Sequence, residues 1–145
     1  MKTKIKKDWF GRLKSGEELY NDSNLWLSEI EFINHEILFL NHLLSSNYIE
    51  FLEVGLSKKI DDLVKRITSE KKIGKTLRKH IKDHKKILFD LIETKSVTSN
   101  KNYLETHKKF DREIHVYLRQ YKDLKKEIFE IVENRMKKKE QKILL

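Results

Sequence analysis

Two histidines one helical turn apart are the residues of this sequence with the clearest capacity for chemistry. His80 and His84 have the spacing at which two imidazoles on one face of a helix can bind the same metal ion. They belong to a stripe formed by Ile73, Leu77, His80, His84, Ile87 and Leu91. We therefore expect both rings to point into the protein core.

A third histidine, His107, lies on the apolar stripe of the last predicted helix, one turn before Asp111. A loop over residues 95–102 connects its helix to that of His84, and both residues lie about 10–15 Å from this loop at 1.5 Å per residue. The sequence therefore predicts that His84 and His107 lie at the same level.

Glu36, on the first predicted helix, is surrounded by apolar residues one turn before and after it. A carboxylate in such a position needs a partner, a proton or a metal ion. If the chain turns near residues 69–75, Glu36 falls in one layer with the histidines. If the helix is unbroken there, Glu36 is out of their reach within one chain. The predicted metal ligands for Fe or Zn are thus His80, His84, His107 and Glu36, with Asp111 as a further candidate.

These residues give the sequence a partial resemblance to the hemerythrin-like helical bundles. The resemblance is carried by the His80-x3-His84 pair, by His107 on the last helix, and by His35 or His42 on the first. It implies a four-helix bundle with a histidine-bound metal ion. Two parts of the family pattern are missing, because residues 48–69 contain no HxxxE motif and Arg112 stands where the family has aspartate. The competing interpretation is that the histidines are hydrogen-bonded core residues, and a third is a pH-dependent or catalytic role.

The elements that must position these residues are long helices. Proline and cysteine are absent and there are only four glycines, so little interrupts a helix and no disulfide forms. Apolar residues at alternating spacings of three and four predict helices over about 24–45, 48–94 and 100–140. We expect a single domain over residues 1–145, an all-α antiparallel bundle of three long helices, with a basic N-terminal arm over 1–22 and a basic, fraying tail over 135–145. The alternative is a four-helix bundle with a break near residues 69–75.

The positive charge is concentrated in one part of the chain. Residues 15–57 contain eight acids and no Lys or Arg, whereas the next segment is strongly basic. Its cations are predicted to form one exposed face: Lys58, Lys65, Lys72, Lys75, Arg78, Lys79, Lys82 and Lys86. Such a face fits nucleic acid, another polyanion or an acidic partner, and a merely solvated surface is the alternative.

We expect a non-enzymatic protein that acts by binding or scaffolding. The predicted hairpin of the last two helices is longer than the first helix can cover, so self-association into a homo-oligomer is expected. Neither a secretory signal nor a run of about 18 apolar residues is present, which favours the cytoplasm. A metal-binding bundle and a polyanion binder are the two alternative functions.

Overall fold

The computed structural model of the protein describes residues 14–97 and 100–144, and the side chains up to residue 137. It contains four helices: α1 over Gly16–Ser46, α2 over Tyr48–Glu53, α3 over Ser57–Glu93 and α4 over Lys101–Leu144. The described residues form no strand. The all-α bundle of three long helices is therefore confirmed, with α2 as an additional short helix. None of the helices in this part of the chain is long and apolar enough to cross a membrane.

The helices pack into two compact units. Unit 1 contains the residues up to Glu29 together with Leu77–Ile114, and unit 2 contains Ile30–Thr76 together with the residues from His115 onward. In unit 2, α3 runs antiparallel to α4, because Arg66 contacts Glu127 whereas Gly74 lies against Tyr117. The single-domain assignment stays a prediction.

The first helix begins earlier than predicted. Ser15 starts α1 with a reciprocal capping box, in which its hydroxyl accepts from the Glu18 N–H and the Glu18 carboxylate accepts from the Ser15 N–H. The sequence Asn21-Asp22-Ser23-Asn24, which precedes or begins the predicted helix over 24–45, lies within α1. Ser23 donates its hydroxyl hydrogen to the Leu19 carbonyl and so competes little with the helix. Residues 16–22 of the predicted arm therefore belong to α1, and residues 1–13 lie outside the described residues.

The break in the predicted second helix lies at Gly55 and not near residues 69–75. Gly55 has φ +77°, and the Leu56 N–H bonds to the Phe51 carbonyl, which is the Schellman arrangement that ends α2. The same arrangement ends α3, where Lys95 has φ 55° and the Ser96 N–H bonds to the Leu91 carbonyl. The predicted unbroken helix over 48–94 is therefore wrong at Val54–Leu56, where the chain turns. The prediction that no break occurs over residues 69–75 is correct, because α3 is continuous there.

Each long helix buries a seam of residues spaced alternately by three and four. On α1 the seam is Leu19, Ser23, Trp26, Ile30, Ile33, Ile37, Leu40 and Leu44. On α3 it is Ile60, Leu63, Ile67, Glu70, Gly74, Leu77, Ile81, His84 and Leu88. The tail predicted to fray over 135–145 remains helical to Leu144, and Leu145 lies outside the described residues.

Candidate functional site

The prominent polar cluster of unit 1 is a chain of hydrogen bonds between its three helices. His84 Nε2 on α3 lies 2.9 Å from His107 Nδ1 on α4, and His107 Nε2 lies 2.9 Å from Asp22 Oδ2 on α1. Lys14 Nζ lies 2.7 Å from the same Asp22 oxygen. The prediction that His84 and His107 lie at the same level is confirmed.

Aromatic rings hold the two histidines in place. The Tyr103 ring stacks on His84 with 4.0 Å between centroids, and the Tyr103 hydroxyl donates to the His84 carbonyl at 3.0 Å. The Trp26 ring lies 4.6 Å from the His107 ring. His84 is 3% exposed and His107 is fully buried, so neither ring offers a free edge to a substrate.

Burial decides the protonation of this cluster. It lowers the pKa of His84 to about 3, with a further contribution from the neighbouring His107, so His84 is neutral at neutral pH. Burial alone raises the pKa of Asp22, but hydrogen bonds from His107 and Lys14 bring that pKa below its usual value. The Asp22 carboxylate accepts the Nε2–H of His107. The Nδ1 of a neutral His107 then accepts from His84, whereas a charged His107 donates to it.

The predicted metal ligands do not all meet. His80 is exposed, so the expectation that it points into the core is wrong. Glu36 belongs to unit 2, where its carboxylate accepts from Tyr121 at 2.5 Å and pairs with Lys125 at 2.8 Å. Asp111 is half-buried. Within residues 14–97 and 100–144 of one chain, no three or more His, Cys, Asp or Glu side chains are arranged to hold a metal ion.

The Fe or Zn site at His84 and His107 stays a prediction. The facing nitrogens of the two rings already share one hydrogen bond, and Asp22 occupies the remaining nitrogen of His107. A metal ion would have to replace these bonds. Metal analysis of protein purified without a histidine tag tests the prediction, because a bound ion should be lost on His84→Ala.

Asp22 is the member of the cluster that sequence reasoning missed. It lies within α1 and connects Lys14 to His107. Asp22 lies one helical turn before Trp26, which belongs to the buried seam of α1. This spacing is the sequence signal that places Asp22 beside the core.

Unit 2 contains a second buried polar group, next to Gly74. The Tyr117 hydroxyl oxygen and Glu70 Oε2 are buried and have no hydrogen-bond partner among the described residues. A Cβ at Gly74 would lie 2.6 Å from the Tyr117 hydroxyl and 3.5 Å from Asn34 Oδ1. Burial raises the pKa of Glu70, and Arg66 opposes this only in part. The absence of a side chain at Gly74 therefore makes room for the Tyr117 hydroxyl.

The predicted basic face is exposed along α3. All eight of its cations are exposed: Lys58, Lys65, Lys72, Lys75, Arg78, Lys79, Lys82 and Lys86. None of them forms an ion pair with another described side chain, whereas Lys59 and Arg66 on the same helix both pair with Glu127.

Comparison with known proteins gives no further guide to these sites, because no family model, curated protein or solved structure matches this chain.

Proposed function

We propose that this chain is a non-enzymatic binding or scaffold protein that self-associates through the outer face of α1 and the adjoining α2. The outer face of α1 comprises its exposed residues in unit 2: Glu31, Phe32, His35, Leu38, Phe39, Asn41, His42, Ser45 and Ser46. The observation that supports the proposal is the exposed apolar character of this face. Phe32, Leu38 and Phe39 are 60%, 59% and 55% exposed.

The contrast with the rest of the surface is large. Among the exposed residues between Glu31 and Gly55, only Glu31 and Glu53 are charged, in a chain in which 38% of residues are charged. Monomeric proteins rarely expose a continuous apolar surface of this kind, and interface centres are poor in charge and rich in aromatic residues.

The exposed apolar area is sufficient for a stable contact. Four residues of α2 and its C-terminal cap add to the three on α1: Tyr48, Ile49, Leu52 and Val54. A whole large side chain has an accessible area of about 200 Å². Multiplied by the exposed fractions of these seven residues, this gives an exposed apolar area of roughly 700 Å². A typical interface buries about 800 Å² on each partner. A second copy supplies the same apolar face, so two copies can cover each other.

The reason for self-association differs from the one inferred from sequence. α1 covers 31 residues, more than the predicted range of 24–45, so less of the hairpin is left for another copy to cover. The exposed apolar residues that carry the proposal lie on α1 and α2. The proposal retains the cytoplasm as the location in which this assembly forms.

Sedimentation velocity over a concentration series tests the proposal. We expect wild-type protein to form dimers or larger species, and Phe32→Glu or Phe39→Glu to shift the equilibrium to monomer. Val116→Glu is the matched control, because Val116 is 48% exposed on α4 and lies outside the proposed face. Wild-type protein that remains monomeric at about 0.5 mM, where even contacts near the millimolar range are populated, would overturn the proposal.

Binding of a polyanion, namely nucleic acid, through α3 is the second candidate. It is supported by the eight exposed cations, which have no ionic partner among the described side chains, since such charges can neutralise phosphates and release counterions. Aromatic residues are not interleaved with them, which favours a duplex over a single strand.

A salt titration of duplex binding tests this candidate. The logarithm of the affinity should fall linearly with the logarithm of salt concentration, by about 0.9 for each phosphate neutralised. Lys72→Glu and Lys79→Glu should weaken binding and reduce this slope, while Lys122→Glu, an exposed position on α4, should not. Equal effects of all three variants, or preference for an acidic protein over a duplex, would contradict it.

A further inference from the structure

The outer face of α1 carries two histidines in addition to its apolar residues. Phe32, His35, Phe39 and His42 follow one another at spacings of three, four and three, which is the heptad pattern of a helix-pairing seam. His35 and His42 are therefore repeated at the same heptad position, on the face that the proposed function assigns to a second copy.

His35 is held in an orientation suited to binding a metal ion. Its Nδ1 lies 3.0 Å from the Glu31 carbonyl oxygen. A carbonyl can only accept, so Nδ1 carries the hydrogen and Nε2 of the neutral ring retains its lone pair. Metal-ligating histidines commonly donate their other N–H to a carbonyl or carboxylate in this way. The Glu31 side chain is exposed one turn before His35 and can supply an oxygen ligand.

The charges on α1 and α2 themselves favour a cation. No Lys or Arg occurs between residues 15 and 57, so no positive side chain on α1 or α2 competes with an ion at this face. One copy nevertheless cannot complete a site. His35 and His42 are separated by about 10 Å along the helix, whereas ligand nitrogens lie about 2.0–2.1 Å from a zinc ion.

We propose that a transition-metal ion such as Zn²⁺ bridges two copies of this chain through His35, His42 and Glu31. This inference rests on the proposed self-association. If the two α1 helices pair in parallel, equivalent heptad positions face each other, so His35 meets His35 of the second copy and His42 meets His42. An antiparallel pair would set each histidine against a phenylalanine and would not form the site. The parallel arrangement gives two imidazoles for each ion, with a carboxylate of Glu31 and water completing the ligands at His35.

Sedimentation velocity of the untagged full chain in EDTA and in zinc chloride tests the inference. When the zinc concentration is about ten times the dissociation constant of zinc from the dimer, one bridging ion should lower the monomer–dimer dissociation constant by about ten-fold. His35→Ala and His42→Ala should abolish this difference, whereas the control His80→Ala, an exposed histidine on α3, should retain it.

The outcomes separate this inference from the proposed function. A dimer whose dissociation constant is the same in EDTA and zinc refutes the metal bridge and leaves self-association intact. Wild-type protein that is monomeric under both conditions refutes both. A zinc effect that His80→Ala removes as fully as His35→Ala would show adventitious binding and refute the bridge.

Discussion

Replacing Gly74 by alanine tests how closely α3 and α4 approach each other in unit 2. A Cβ at this position would lie 2.6 Å from the Tyr117 hydroxyl oxygen and 3.3 Å from its Cζ, whereas non-bonded atoms pack at about 3.5–4.0 Å. Relief of this contact by movement of a buried ring costs about 1–3 kcal/mol. Alanine in a helix interior gains about 1 kcal/mol over glycine. We expect Gly74→Ala to lower the free energy of unfolding by about 1 kcal/mol, within a range of about 0–2 kcal/mol.

A second substitution separates the contact from helix propensity. Tyr117→Phe removes the hydroxyl, whose oxygen has no partner among the described residues, so by itself it should be neutral or stabilising. In the Tyr117→Phe background, Gly74→Ala should change from destabilising to neutral or stabilising, by up to about 1 kcal/mol. The coupling between the two positions is then about 1–3 kcal/mol.

Urea unfolding followed by far-ultraviolet circular dichroism measures these differences. Ser69→Ala, at an exposed position on α3, is the control for helix propensity alone. If the two substitutions are additive, or if Gly74→Ala stabilises the wild-type protein, the Tyr117 hydroxyl does not lie against Gly74 and the reasoning fails.

Three further substitutions examine other buried or constrained positions. The pKa of His84 falls to about 3 in the folded state. The contribution of neutral His84 to the free energy of unfolding is therefore complete above about pH 6.5, and it declines as the pH falls towards 3, by at most about 1.4 kcal/mol per pH unit. Thermal unfolding from pH 7 to pH 4 measures this slope. His84→Gln should remove it, whereas the control His80→Gln, at an exposed position, should not. Equal slopes for the two variants would contradict the burial of His84 in this cluster. Burial raises the pKa of Glu70, so stability is lost as the pH rises through that pKa. Glu70→Gln should therefore raise the melting temperature more at pH 7 than at pH 4. A larger increase at pH 4 than at pH 7 would mean that the Glu70 carboxylate is paired. Gly55→Ala, at φ +77°, should cost about 1–2 kcal/mol in urea unfolding, and no loss would argue against the left-handed turn.

The buried seams of α1 and α4 were predictable because their apolar residues are nearly continuous. The facing of His84 and His107 was predictable because only the short loop between α3 and α4 sets their relation. The orientation of His80 was not, because the α3 seam passes through Glu70 and Gly74. With those two core positions occupied by an acid and a glycine, the apolar periodicity also fits Ile73 and Ile87, which are 37% and 51% exposed.

The positions of the turns were harder to predict than the helices. Gly55 and Gly74 are both single glycines within apolar periodicity, and the sequence does not separate a glycine that ends a helix from one that makes room for a tyrosine. Lys95 ends α3 in the left-handed region without glycine at all. The start of α1 was missed because Asp22 and Ser23 are typical caps, and only their contacts with His107 and Leu19 explain their presence inside a helix.

Each seam is formed by residues spaced alternately by three and four. This spacing does not fix the axial position of one helix relative to its neighbours. A shift of α4 by seven residues would again set apolar residues against apolar residues. It would also place Ile114 where His107 lies, which leaves the buried His84 ring without its partner at a cost of about 1–3 kcal/mol. The Asp22 carboxylate would keep only Lys14. The buried hydrogen bonds of unit 1 therefore select one alignment among those that apolar packing alone would accept, which is a contribution to specificity more than to stability.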